Sequence, residues 1–201
     1  MNKKLLLATR NKGKFPEIVS ELKNIPFDFL NLNDVASLPP EYEVEESAVT
    51  FEGNAIIKAM TLGKKTGLLT LADDSGLEVD ALGGRPGVYS ARYAPGSDED
   101  RYRKLLGELE NVPDDKLGAQ FHCSAAIYDP ATDKVRTCEG IYRGRIIREP
   151  RGANGFGFDP IFWNEQLEKT NAEMSLEEKN SVSHRGMALA KAREILEKEF
   201  V

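Results

Sequence analysis

Hydrophobic positions change period along this chain, and each change marks an element. Residues Lys3 to Thr9, with the apolar run Leu5 to Ala8, predict a strand. Phe15, Ile18, Val19 and Leu22 then recur at i, i+3, i+4 and i+7, which predicts a helix. Pro16 is tolerated there because it falls in the first turn. "FDFLNL" predicts a second strand, and "NDVASLPPEYEVEES" an acidic, proline-rich loop. From Thr50 to about Lys64 the helical period returns. Phe51, Ala55, Ala59 and Leu62 share one side, while Thr50, Asn54 and Lys58 form a polar stripe. Gly53 weakens the start of this helix.

"LLTLA" predicts a buried strand ending at Asp73-Asp74-Ser75-Gly76, followed by a separate strand in "LEVDAL" and a long loop, "GGRPGVYSARYAPG". Ser97 or Asp98 caps a helix reaching about Leu109. "AQFHCSAAIYD" and "KVRTCEGIY" read as a hairpin around "DPATDK", which brings Cys123 near Cys138. The two are read as small buried hydrophobes rather than a disulfide. A glycine-rich loop, "REPRGANGFGFDPIF", leads into another strand. Ser175 with Glu178 forms a capping box, and a last amphipathic helix runs from about Ser183 to Glu199. Strands and helices alternate with no repeat or linker, so the expectation is one α/β domain over residues 1–201.

Composition narrows the function. With 201 residues, 40% of them hydrophobic, the chain can bury a sizeable core. A net charge of −6 argues against a nucleic-acid partner but leaves room for a local cationic pocket. No apolar run is long enough to cross a bilayer, and no signal-peptide pattern is seen, so a soluble cytoplasmic protein is expected. Two cysteines without CxxC or HxxxH spacing make no zinc site.

Four segments carry candidate chemistry. The first is "ATRNKGK", where Thr9, Asn11, Gly13 and Lys14 stand at a helix entrance. Unpaired N–H groups, a hydroxyl, an amide and a cation suit a phosphate there, although an ordinary turn with solvated lysines has the same composition. The second is acidic: Glu45 and Glu46 in a loop, Asp73 and Asp74 where an apolar strand ends. Paired carboxylates repel and are costly to desolvate, and a divalent cation such as Mg²⁺ removes both problems. A solvated loop and a tight turn are the plain alternatives. The third, "GANGFGFDP", lacks dinucleotide-fingerprint spacing but can present Phe156 to a base, or bury it. The fourth, "EEKNSVSHRG", gathers the donors Lys179, His184 and Arg185, or is a surface loop with solvated cations.

Taken together, "ATRNKGK", "TFEGNAIIKA", "LADDSGLEVDALGGRPGVYSARYA", "GANGFGFDPIF" and "EEKNSVSHRG" resemble, in order and over nearly the whole chain, the inosine/xanthosine triphosphate pyrophosphatase family. The resemblance implies an elongated mixed β-sheet with helices forming two lobes around a long central cleft, and a homodimer. It implies Mg²⁺-dependent hydrolysis of XTP, ITP and dITP to the nucleoside monophosphate and pyrophosphate. By position, it implies phosphate contacts from Thr9, Arg10, Asn11, Lys12, Gly13, Lys14 and Lys58. Glu46 and Asp74 become metal ligands, with Asp74 also the general base, supported by Glu45 and Asp73. Ser75 becomes a substrate contact, and Phe156, Gly157, Phe158, Asp159, Lys179, His184 and Arg185 the base pocket. Two positions depart from the family pattern: Phe158, where Tyr or Trp is common, and Gly53, where Glu is common. A Maf-like nucleotide pyrophosphatase and a non-catalytic nucleotide-binding protein are the competing readings.

Overall fold

The structure is a computed structural model and describes residues 3–201. Seven strands form one mixed sheet in the order β2-β1-β3-β4-β5-β6-β7. They are β1 (Lys3–Leu7), β2 (Phe27–Leu30), β3 (Leu69–Val79), β4 (Gly118–Asp129), β5 (Lys134–Ile146), β6 (Phe162–Asn164) and β7 (Lys169–Thr170). Five helices accompany them: α1 (Lys14–Leu22), α2 (Phe51–Thr66), α3 (Asp98–Glu108), α4 (Leu176–Val182) and α5 (His184–Phe200). The chain divides into two compact units, with β3, β4 and β5 each passing from one to the other. Among the described residues no helix is long and apolar enough to cross a membrane.

The first unit holds residues up to Asp74, Cys123–Gly140 and Arg185–Val201. Its strands β2, β1 and β3 are parallel neighbours. A parallel strand covered on both faces reads as a continuous apolar run, and β1 shows why. Leu5 and Leu7 pack with Ile18 and Leu22 of α1 and with Leu189 and Leu196 of α5. Leu6 packs on the opposite face with Ala55, Ala59 and Leu62 of α2. Both cysteines are free; Cys123 is buried in the cluster that Cys138 packs against.

The second unit holds Ser75–His122 and Ile141–His184. Leu77 and Val79 of β3, Phe121 of β4, Tyr142 of β5 and Phe162 of β6 form its core with Leu105 of α3. The residues between them are polar. Arg143 bonds Asp80 and Gln120, and Gln120 bonds Glu78, giving a ladder across three strands. This is the alternation of a sheet with one buried face.

One expectation fails. Asp73-Asp74-Ser75-Gly76 does not end a strand; β3 runs through it from Leu69 to Val79. The ladder tolerates the two charges because period 2 sends them to opposite faces. Asp73 lies on the side of Leu71, with Cys123 and Arg185, whereas Asp74 lies on the side of Ala72, with Asn54 of α2. They still occupy a strand terminus of a kind, since the parallel pairing with β1 stops at Leu7↔Leu71.

Candidate active site

The loop from Thr9 to Gly13 leaves the carboxyl end of β1 and is held by one side chain. Asn11 Oδ1 accepts from Gly13 N at 2.8 Å and from Lys14 N at 3.1 Å, and Phe15 N reaches Asn11 O at 3.2 Å. Thr9 Oγ1 accepts from Asn11 N at 3.1 Å. The helix-entrance N–H groups assigned to phosphate are therefore already satisfied from within the loop. Gly13 has an ordinary helical φ of −82°, so its conformation does not require glycine. Arg10 also differs from expectation. Its guanidinium bonds Asn33 Oδ1 at 2.6 Å and Pro39 O at 3.2 Å, which ties down the acidic loop rather than meeting an anion. Lys12 is exposed and makes no ion pair among the described residues.

Lys14 turns inward. Its Nζ lies 2.9 Å from Asp73 Oδ2, and Arg185 Nε reaches the same oxygen at 3.2 Å. Arg185 also pairs with Glu17, on the first turn of α1. Burial works to raise the Asp73 pKa, but Lys14, Arg185 and Lys58 together outweigh it and hold this carboxyl well below the usual range. Burial likewise opposes charge on Arg185, and Asp73 and Glu17 overcome it. Arg185 is 1% exposed and pairs with two carboxylates, Asp73 and Glu17. It is a counter-ion within a buried network.

Asp74 has a different setting. Asn54 Nδ2 donates to Asp74 Oδ2 at 3.0 Å, while Asn54 Oδ1 accepts from Ala48 N at 2.9 Å. One buried amide thus ties the carboxylate to the loop bearing Glu46. Lys58, one turn further along α2, lies 2.7 Å from Glu46 Oε1 and 2.9 Å from Asp73 O. The stripe read from the sequence therefore has Asn54 and Lys58 converging on the acidic group. A Cβ on Gly53 would come within 2.7 Å of Ala48 Cβ, so the missing side chain lets this loop approach α2. Burial pushes Asp74 above the ordinary aspartate range; Lys14, Lys58 and Asn54 pull it down, and Glu46 adds to the rise. Glu45 is exposed, with no hydrogen bond or ion pair among the described residues.

In the second unit, Asp159 organises the glycine-rich loop. Its Oδ2 accepts from Phe156 N at 2.8 Å and from Lys179 Nζ at 2.6 Å, and its Oδ1 from Asn171 Nδ2 at 3.2 Å. Asp98, at the start of α3, accepts from Gly157 N at 2.7 Å. The Phe156 ring is partly exposed, with Lys179 Nζ 4.8 Å from its centroid. Phe158 is buried and meets Tyr93 edge-on at 6.5 Å. Asp159 anchors the loop. His184 is buried and stacked on Phe121, ring centroids 4.7 Å apart. Ser75 is half-buried on β3.

Comparison with known proteins bears on this geometry. The family model described as the Ham1 family matches residues 5–195. The chain belongs to the Ham1 family. This Ham1 chain is 48% identical over 200 residues to the dITP/XTP pyrophosphatase of Desulforamulus reducens, covering 98% of each. It is 51% identical to that of Geobacter sulfurreducens, covering 93% of each. Among solved structures, a HAM1 protein from Coxiella burnetii superposes with a TM-score of 0.87 at 40% identity, covering 98% of this chain and 99% of that one. Three residues of this Ham1 chain that sequence reasoning gave no site role stand out. Asn54 was legible only as part of a stripe. Glu17 and Asp98 carried no signal, because a helix-borne carboxylate gives no sign in the sequence of which distant group it will meet.

Proposed function

We propose that this chain hydrolyses aberrant purine nucleoside triphosphates, XTP, ITP and dITP, to the nucleoside monophosphate and pyrophosphate. The observation that carries the reading is the meeting, within the first unit, of Lys14, Glu46, Lys58, Asp73 and Asp74, residues from four separate stretches of chain. The relatives named above supply the substrate class.

Asp74 is proposed as the general base. A buried carboxylate whose pKa is raised takes a proton more readily than an ordinary aspartate, and Asn54 fixes its orientation. Asp73, held ionised, is read as a fixed negative charge that keeps Lys14 and Arg185 in place. Lys14 and Lys58 are proposed to neutralise the phosphate tail, helped by Lys12, the Thr9 hydroxyl and the Asn11 amide N–H₂. The donor set fits a hard cation, since two carboxylates repelling each other across a partly buried site take up added positive charge favourably. Glu46 and Asp74 would hold Mg²⁺, which when bound supplies Lewis-acid polarisation of phosphate oxygens and a more acidic water.

Base recognition is assigned to the second unit's own group: Phe156 as a stacking face and Lys179 as a donor to the C6 oxygen, with Ser75 and His184 as further contacts. Adenine presents an amine at C6, so a donor-lined site rejects it, and such sites discriminate by roughly 10⁴. A homodimer in the cytoplasm completes the proposal.

The deciding assay is pyrophosphate release from ITP, XTP, dITP, ATP, GTP and dTTP, with and without Mg²⁺. Release from the first three only, and only with Mg²⁺, is expected. ATP turned over as well as ITP would refute the substrate assignment. Light scattering after size exclusion tests the dimer.

A further inference from the structure

Lys58 covers a carboxylate that the proposed chemistry needs elsewhere. Its ammonium lies 2.7 Å from Glu46 Oε1, so one oxygen of the carboxylate that would ligate a metal already has a cation in contact. The second contact of Lys58, 2.9 Å to Asp73 O, places that ammonium beside the strand carrying Asp74.

The charge balance sharpens the point. Glu17, Glu46, Asp73 and Asp74 stand against Lys14, Lys58 and Arg185, one negative charge in excess. A divalent ion added with Lys58 still in place would reverse that sign and bring two cations onto one carboxylate. Metal ligation by Glu46 and the Lys58–Glu46 pair therefore compete. Lysine's flexible stem lets its ammonium move to a new anion without a change in the helix.

We propose that Lys58 is a tethered competitor for the metal ligand Glu46, released from it when the polyphosphate tail offers the ammonium another anion. This rests on the metal and phosphate reading given above. Whatever draws Lys58 off Glu46 must tighten metal binding, and metal on Glu46 must tighten anion binding by the same factor.

The test uses Mn²⁺ as the probe and counts protein-bound ion by electron paramagnetic resonance in wild type, Lys58→Met, Lys58→Gln and Glu46→Gln. With no phosphate or pyrophosphate present, Lys58→Met is expected to bind Mn²⁺ about tenfold tighter than wild type, one pKa unit's worth of interaction. The gain should persist between about 0.1 M and about 0.5 M KCl, because a contact pair escapes the screening that removes long-range fields. Inorganic pyrophosphate, with its own Mn²⁺ complexation measured in a protein-free dialysis chamber, should tighten Mn²⁺ on wild type and lose most of that effect in Lys58→Met. Unchanged or weaker Mn²⁺ binding by Lys58→Met, or a gain that vanishes in high salt, overturns the proposal. Lys58→Gln gives the same readout if Lys58→Met does not fold. Mn²⁺ binding that is absent from wild type and Lys58→Met alike, with and without pyrophosphate, or that is insensitive to Glu46→Gln, removes instead the metal assignment beneath it.

Discussion

Arg185 Nε lies 3.2 Å from Asp73 Oδ2, with both side chains 2% exposed. The pair closes a network in which Glu17 holds the other end of the guanidinium and Lys14 shares the Asp73 oxygen. Removing the cation takes its ion pair from buried Glu17 and leaves buried Asp73 with Lys14 but without Arg185. Arg185→Met is therefore expected to cost about 3–5 kcal/mol of stability, read by urea denaturation. A variant of wild-type stability that merely raises KM for ITP would instead make Arg185 a substrate contact.

Asp74 and Asn54 make a base and its orienter. Asp74→Asn should lower pyrophosphate release by about 10³-fold or more while nucleotide binding, followed by calorimetry, is largely kept. Asn54→Ala leaves Asp74 unoriented and the Ala48 N–H without its partner, so both turnover and stability should fall, the latter by about 1–3 kcal/mol. Normal turnover in Asp74→Asn would end its role as base.

Gly155 has a φ of +73°, and a Cβ there would collide with the Asp159 carboxylate. That carboxylate holds Phe156 N and Lys179. Gly155→Ala should displace the loop and raise KM for ITP severalfold more than it lowers kcat, as steady-state kinetics will show. An equal fall in kcat with KM unchanged would separate this loop from substrate binding.

Thiol chemistry gives a pH-dependent prediction. Burial pushes Cys138 up to about 11, and Cys123 is pushed higher still by burial and the Asp73 charge. Both stay protonated at neutral pH, so a thiol reagent at about pH 8 should label neither in the native state and both after denaturation. The sign for stability follows. A raised folded pKa favours the folded state fully below the unfolded value, near 8.5, and that contribution is lost as pH rises toward 11. Melting temperature should therefore decline over this alkaline window. Rapid native-state labelling at about pH 8 would contradict the burial of Cys123 and the partial cover over Cys138.

Local pattern was enough to determine most of the elements. The α2 stripe, the Ser175–Glu178 capping box and the last helix depend on spacings of three or four residues, and such spacings are written in the chain itself. The residue types for phosphate and metal chemistry were also legible, because Lys14, Lys58, Glu46 and Asp74 are charged groups beside apolar runs. Only the tertiary structure decided what each charge faces. It made one strand of Leu69–Val79, sent Asp73 and Asp74 to opposite faces, paired Arg185 with Asp73 and Glu17 and buried Phe158. The reason is physical: a side chain's type is local information, whereas its burial and partner depend on residues such as Glu17, which lies 168 positions from Arg185 and meets it only when α1 and α5 pack on the same face of β1.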